Sequence, residues 1–399
     1  MNKSERLIIF LLAALNFTHI LDFMIMMPLG NYLMPFFKIT PQQFSLLVGS
    51  YTLTAAVSGF AAAFFVNQYD RKKVLVVAYI GFLIGTFACG FAPTYGLLLA
   101  SRVLAGLFGG LIGAQVLSIV ADLIPYERRG AAMGAIMSAF AVSSTLGVPF
   151  SLYLSNLFSW HAPFLLVGAL GVGVFFFVIR VIPSITAHIQ QKEEPKIQVL
   201  LSVVNNPQQR LALLFSALMM MGHFMIIPFI NPFMEFNNGY SKTQTPMIYL
   251  VGGIASFVAA NILGKLSDKY GKLIVFSSCL LSSFALIWII TNLPHIAFVW
   301  VLLLFGVWFV FSTGRAVAAQ AMISNVVTPA HRGSFMSFNS STQQLGTAAA
   351  SFLSGMVVIN DVNGKLIHYN WLGYISIFIL LCCFLLAQYL FRKNSTVKG

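Results

Sequence analysis

The sequence predicts an all-α integral membrane protein with twelve transmembrane helices in two pseudo-symmetric halves of six. Three observations carry this prediction. The 399 residues are 58% hydrophobic and only 8% charged, whereas soluble domains are about 25% charged. The apolar residues gather into twelve runs, each near the roughly 20 residues that a hydrocarbon core demands. The loops between the runs alternate between rich and poor in basic residues.

The runs are 7–35, 43–66, 74–92, 96–124, 131–155, 162–182, 210–235, 245–266, 274–292, 296–327, 333–358 and 370–391. The first, opening MNKSERLIIFLLAALNF, has the basic flank of a secretion signal. It is too long and lacks a small-residue cleavage site, so it is expected to stay as the first span. Threading the chain through twelve spans puts 18 basic residues on one side and three, Lys38, Lys242 and Lys365, on the other. The bias assigns both termini and the longest loop to the cytoplasm. Residues 1–182 then form an N-terminal bundle and 210–399 a C-terminal one. The cytoplasmic loop 183–209 joins them, and its IQVLLSVV (197–204) reads as a short helix lying on the membrane surface.

A formal charge of +13 invites comparison with nucleic-acid binders, but the cations sit in short clusters between apolar runs. That is a topology signal, and no nucleic-acid partner is expected. Cys89, Cys279, Cys382 and Cys383 all fall within apolar runs, without metal-ligand spacing, and read as packing residues. No nucleophile–base arrangement, phosphate-binding glycine loop or metal cluster is recognisable. Enzyme activity, a cofactor and ATP-driven pumping are therefore not expected.

The two halves repeat one another. FMIMMPLGN (23–31) parallels FMIIPFIN (224–231) through a shared Pro-x-x-Asn, which sets His223 opposite Asp22. NQYDRKKVL (67–75) parallels SDKYGKLIV (267–275), and IPYERRG (124–130) parallels TPAHRG (328–333). Ala-Gln recurs in the span before each of the last pair, at 114–115 and 319–320. Repeated halves around a central site are the architecture of many secondary transporters.

On these residues the chain resembles the major facilitator superfamily. More narrowly, it resembles the twelve-span drug:proton antiporters and their sugar-efflux relatives. GKLSDKYGK (264–272) is similar to the superfamily's G-x-x-x-D-[RK]-x-G-[RK] loop. The first-half copy departs from it, with Asn67 in place of the Asp, Asp70 in place of the Gly and Ala63 in place of the leading Gly. RVLAGLFGG (102–110) resembles the fourth-span motif with its buried Arg. LGVPF (146–150) resembles the fifth-span antiporter motif, with Val148 inserted between Gly147 and Pro149. The resemblance implies gating by the loop residues Asp268, Lys269 and Lys272. In the first half, where Asn67 lacks the charge, Asp70 or Asp122 stands in for it around Arg71 and Arg128.

Intramembrane charges are the sharpest local signals, because each costs several kcal/mol in hydrocarbon unless compensated. Asp22 lies 15 residues into the first span from the cytoplasmic side, or about 22 Å at 1.5 Å per residue. Arg102, entering from the outside, reaches a similar height of roughly 21 Å in a 30 Å core. The two are expected to pair and to serve proton coupling, since burial and a neighbouring cation pull a carboxyl in opposite directions. His19, one helical turn from Asp22, and His223, its repeat counterpart, are further coupling candidates. Arg315, deep in span 10, needs an anion, carbonyls or water and reads as a cavity or gate residue. Asn31, Gln115, Asn231, Gln320 and Gln343 complete the expected polar lining. Glu235, near the outer end of span 7, is a candidate for an outer gate.

The expectation is a monomeric, proton-coupled exporter of small molecules in a bacterial inner membrane, working by alternating access. Its partners are substrate, protons and the lipid bilayer. An uptake symporter or uniporter is the alternative on the same fold, and a non-transporting receptor or scaffold the alternative of another class.

Overall fold

The computed structural model describes residues 3–124, 126–186, 189, 205–327 and 332–392, without the side chains of 63, 65, 67, 126–131, 137 and 332–334. The surface helix expected at 197–204 and the side chain of Arg128 lie outside the described residues.

Within them the chain is overwhelmingly helical. The first half contains α1 (Lys3–Met26), α2 (Gly30–Phe37), α3 (Pro41–Phe65), α4 (Arg71–Gly90), α5 (Tyr95–Leu123), α6 (Tyr126–Val142), α7 (Val148–Leu157) and α8 (Ala162–Val181). The second contains α9 (Pro207–Phe224), the single turn α10 (Ile230–Pro232), α11 (Thr245–Tyr270), α12 (Lys272–Thr291), α13 (Phe298–Ser324), α14 (Arg332–Val357) and α15 (Tyr369–Phe391). Eleven spans among the described residues are long and apolar enough to cross a membrane. The twelfth expected run, 333–358, is one continuous helix of 26 residues, α14. Its NSSTQQ stretch (339–344) dilutes its apolar character. A helix so polar is tolerated in a bundle because Ser and Thr hydroxyls satisfy themselves on the preceding turn, as Thr342 does on Phe338 O (2.9 Å) and Thr347 on Gln343 O (3.0 Å).

The internal repeat is visible in the backbone. At Pro28 the first span breaks into a 3-10 turn, Met27–Leu29, and at Pro228 the seventh breaks likewise, Ile227–Phe229. Proline supplies no N–H and clashes with the preceding turn, so an α-helix yields there. The LGVPF motif gives a related irregularity, a π-helical turn at Ser143–Gly147 joining α6 to α7. A short hairpin, β1 (Ile359–Asn360) with β2 (Leu366–Ile367), also forms. It turns on Gly364 at φ +78, and Asp361 caps the N–H groups of Asn363 and Lys365.

Packing divides the molecule into two compact units. The first comprises the chain up to Met26 and the helices from Ser50 through α8. The second comprises 27–49 with the helices from α9 onward. The chain changes unit at Met26/Met27, at Gly49/Ser50 and at Val199/Leu200.

Contacts around the Pro-x-x-Asn turns explain why 27–49 belongs to the second unit. Asn231 Nδ2 donates to Pro28 O (2.9 Å), and Asn31 Nδ2 donates to Glu235 Oε1 (2.7 Å), which also accepts from Thr245 Oγ1 (2.9 Å). Gly30 lies so close to Phe44 and Pro232 that a Cβ would come within 2.9 Å of each.

In the first unit, a core of Leu12, Leu15, Tyr79, Phe82, Ile112, Val116 and Ile119 is fully enclosed. Helices in lipid gain nothing from burying oil in oil, so close backbone approach has to supply the association energy. Gly106 and Gly110 of α5 allow it. A Cβ on Gly106 would strike Thr54 Oγ1 and the carbonyl of Tyr51, and one on Gly110 the carbonyl of Ala55 and Ser58 Oγ, all from α3. Gly113, on the same helix, has nothing within 4 Å. Gly110→Val is therefore expected to destabilise the protein by about 1–3 kcal/mol through overpacking. Gly113→Val should leave the melting temperature in detergent nearly unchanged. Equal melting temperatures for the two variants would contradict this account of the α3–α5 contact.

Candidate functional site

Four helices of the first unit converge on one ion pair. Asp22, near the end of α1, and Arg102, in the second turn of α5, are both wholly buried, and Arg102 Nη1 meets Asp22 Oδ2 at 2.7 Å. The same nitrogen lies 3.4 Å from the Asp22 carbonyl. The other carboxylate oxygen accepts from Thr86 Oγ1 of α4 at 3.1 Å. The Tyr51 ring, from α3, lies flat against the cation with its centroid 4.3 Å from the guanidinium carbon, a stabilising arrangement when desolvated. Arg102 Nε and Nη2 have no hydrogen-bond partner, so the cation depends on this one carboxylate.

His19 sits three residues before Asp22 but does not bond to it. Neither ring nitrogen has a hydrogen-bond partner. The ring stacks on Tyr51 (6.3 Å) and meets Phe82 edge-on (5.7 Å). Gly109 makes room, since a Cβ there would come within 2.7 Å of Tyr51 Oη and 2.9 Å of His19 Nε2. Gly147, in the π turn, likewise lets that segment close on Leu21, beside Asp22, and Ser143 Oγ donates to Phe17 O (3.3 Å). Gln115, farther along α5, is 1% exposed and its Oε1 has no partner.

The second unit answers with a different pair. Arg315, on α13, donates from Nη2 to His223 Nδ1 on α9 at 3.0 Å. The first unit therefore sets an Arg of its fourth span against Asp22, and the second sets one against His223, the residue that the repeat aligns with Asp22. The His223 ring stacks on Trp308 (5.5 Å). Gln343 Nε2 donates to Gln320 Oε1 at 3.4 Å, while Asn31 and Asn231 are engaged at the Pro-x-x-Asn turns.

At the loops rich in basic residues, Arg71 Nε meets Asp122 Oδ2 at 3.1 Å. Asp70 caps α4 through the N–H of Lys72 (3.0 Å) and holds the chain after α8 through Ser184 Oγ (2.7 Å) and the N–H of Ile185 (2.9 Å). Burial pushes its carboxyl up. The hydrogen bonds from Ile185, Ser184 and Lys72, with the charge of Lys73, outweigh burial and hold it below the usual carboxylate range. In the second unit Lys272 Nζ meets Asp268 Oδ1 at 3.1 Å, with the Asp side chain 75% exposed. The Lys269 ammonium lies over the Tyr270 ring at 5.1 Å.

Thr86, Tyr51, Trp308 and Ser312 were not singled out by the sequence. Isolated hydroxyls and aromatic rings in apolar runs carry no signal of their own. They become visible only once Asp22, Arg102 and Arg315 are placed.

A polytopic helical fold with repeated halves and charges buried in its spans defines a membrane transporter. The chain belongs to the Major Facilitator Superfamily, whose sequence model matches residues 12–314. It is 22% identical to the uncharacterized MFS-type transporter YceJ of Bacillus subtilis over 84% of this chain and 85% of that one. It is 33% identical to Multidrug resistance protein 3 of the same organism over 32% of this chain and 25% of that protein. Its fold matches a bacterial homologue of the human lysosomal transporter Spinster with a TM-score of 0.76 at 16% identity, covering 98% of both chains. It matches the nucleoside transporter NupG (TM-score 0.74, 14% identity) over 96% of this chain and all of that one. Superfamily members of this kind move solutes and catalyse no chemical conversion, so the chain is a multi-pass transporter and not an enzyme.

Two stability predictions follow from the charges. A guanidinium keeps its proton, whereas a carboxyl can take one up and become neutral. Asp22→Asn, which strands Arg102, is therefore expected to cost about 3–5 kcal/mol and Arg102→Gln less, with the double variant recovering stability relative to Asp22→Asn. Melting of the three purified proteins checks this order.

At Asp70 the folded-state pKa lies below the unfolded one. Its contribution is present above the unfolded value and is lost as pH falls through the folded value. Asp70→Asn should lower stability by about 1–2 kcal/mol at neutral pH, and the gap to the natural protein should close as the solution is acidified below about pH 4. A gap independent of pH would contradict the ionised cap.

Proposed function

We propose that the protein is a proton-coupled antiporter exporting small molecules by alternating access, with Asp22 as the coupling acid and Arg102 as its counter-charge. The observation that carries this reading is the one wholly buried carboxylate–guanidinium pair among the described residues, in which the cation relies on one acid. Protonating Asp22 would remove the counter-charge of Arg102 and leave the guanidinium with the Tyr51 ring and a long contact to a backbone carbonyl. Proton uptake at Asp22 is thereby tied to rearrangement around α5, which is the requirement for coupling. His19, packed on the Tyr51 ring that covers Arg102, lies where it would sense that rearrangement. Arg71 with Asp122, Asp70, Arg128, and Asp268 with Lys269 and Lys272 are assigned to the gate at the cytoplasmic end. Export, rather than uptake, is supported by the names of relatives. Besides Multidrug resistance protein 3, the chain is 25% identical to a chloramphenicol resistance protein of Streptomyces lividans over 51% of this chain and 52% of that protein. On this reading the protein is a monomer in a bacterial inner membrane with both termini in the cytoplasm.

The test is uphill transport by Asp22→Asn in everted vesicles, using a substrate found by screening in a pump-deficient host. Asn imitates the protonated acid and releases no proton. Accumulation against a gradient is expected to disappear while downhill substrate exchange persists. The double variant Asp22→Asn, Arg102→Gln covers the case of poor folding, with the same expectation. Undiminished proton-driven accumulation by either variant would overturn the role of Asp22. Accumulation in right-side-out vesicles would reverse the direction.

A further inference from the structure

Among the described residues, the second unit buries a permanent cation without an anion. Arg315 is 1% exposed, and its only hydrogen bond among the described residues runs from Nη2 to His223 Nδ1. A guanidinium only donates, so Nδ1 is the acceptor and the ring proton resides on Nε2. The imidazole is neutral in this arrangement and supplies no counter-charge. Arg315 Nη1 has no hydrogen-bond partner among the described residues.

The described carboxylates of this unit are committed elsewhere. Glu235 binds Asn31 and Thr245, Asp268 binds Lys272, and Asp361 caps the turn of the hairpin. In the first unit Arg102 has Asp22. At the position equivalent to Asp22 the second unit has His223, and the arginine it meets is its own: Arg315 stands five residues before Gln320, whereas Arg102 stands thirteen before Gln115.

Two more donors share the face of α13 that carries Arg315. Trp308 and Ser312 precede it by seven and three residues, so all three side chains leave the helix in nearly the same direction. Trp308 is fully buried with its Nε1–H unpartnered, and Ser312, 6% exposed, has an unpartnered Oγ. An indole N–H and a guanidinium offer donors and no acceptor. Leaving such groups unsatisfied costs about 1–3 kcal/mol each, and more for the charge. The missing complement is therefore negatively charged, rich in acceptors and compatible with an aromatic wall, since Trp308 stacks on His223.

We propose that this face of the second unit binds the transported solute, and that the solute is an organic anion. Its carboxylate or phosphate oxygens dock on Arg315 Nη1, Ser312 Oγ and Trp308 Nε1, and its apolar body lies against the Trp308 and His223 rings. This deepens the transporter reading by naming a substrate class. It does not depend on proton coupling or on the direction of transport.

The experiment is thermal shift on the full-length protein in a neutral detergent, at constant ionic strength and with no added lipid. The probes are benzoate, phenyl phosphate, the uncharged benzamide and inorganic phosphate. At least one organic anion is expected to raise the melting temperature by several degrees at millimolar concentration, with benzamide and inorganic phosphate well behind. Arg315→Gln keeps a donor for His223 and removes the charge. It should abolish the shift while melting no lower than the natural protein without ligand, because an uncompensated buried charge is gone. Should Arg315→Gln fail to fold, Trp308→Phe keeps the aromatic wall and deletes one donor. It should weaken the organic anion about 5- to 10-fold, the worth of one hydrogen bond. Equal shifts with benzoate and benzamide, no shift with any anion, or an unaltered shift in Arg315→Gln or Trp308→Phe would overturn the proposal. A shift with inorganic phosphate equal to that with the organic anions would overturn the organic solute. Because no gradient is applied, failure here is separate from failure of Asp22 in vesicle transport.

Discussion

A charge in hydrocarbon has no solvent to fall back on, and in the first unit that constraint organises everything near Asp22 and Arg102. The pair meets at 2.7 Å with both side chains fully enclosed, and the rest of the neighbourhood serves that closeness. α4 contributes Thr86 to the second carboxylate oxygen, α3 contributes the Tyr51 ring to the cation, and Gly109 and Gly147 remove the side chains that would hold neighbouring helices away. The mutual dependence is tight because both side chains are fully buried and few other protein donors or acceptors surround them. An arrangement of this kind is stable in one protonation state and disturbed in the other, and the proposed coupling to a proton rests on that difference.

The two halves share a plan and differ in their electrostatics. Each breaks its first span at a proline and brings an arginine of its fourth span onto the position five or six residues before that proline. In one half that position is an acid and the charge is closed internally. In the other it is an imidazole and the charge remains open. The asymmetry extends to the Pro-x-x-Asn turns. Asn231 bonds a backbone carbonyl, whereas Asn31 bonds the carboxylate of Glu235, a residue without a counterpart in the first half.

The fold was legible in the sequence because a membrane imposes simple rules: apolar runs of fixed length, every second loop rich in basic residues, and duplicated motifs. The meeting of Asp22 and Arg102 was foreseeable from their matching heights together with the need of each buried charge for a partner, since a regular helix converts residue number into height. What the sequence concealed depends on lateral packing, which residue number does not encode. Thr86 and Tyr51 are ordinary residues in apolar helices until Asp22 and Arg102 are set beside them. His19 shares a helical face with Asp22, yet it packs as an aromatic instead of bonding. Asn31 and Asn231 donate from Nδ2 to the Glu235 carboxylate and to Pro28 O, partners that residue number does not reveal. The hairpin around Gly364 is too short, at two residues per strand, to leave an alternating pattern.

The turn at Met27–Leu29 has a mechanical meaning as well. The chain changes from one compact unit to the other between Met26 and Met27, at the point where the missing N–H of Pro28 removes a rung from the helical ladder. A rod lacking one rung is most compliant there, and its stiff portions on either side each remain bonded to their own surroundings. The first span is in effect a jointed shaft whose soft coupling coincides with its change of allegiance. Asp22 lies a turn and a half before that joint, and its partners Arg102 and Thr86 belong to the same unit as the acid, so the buried pair does not straddle the change of unit.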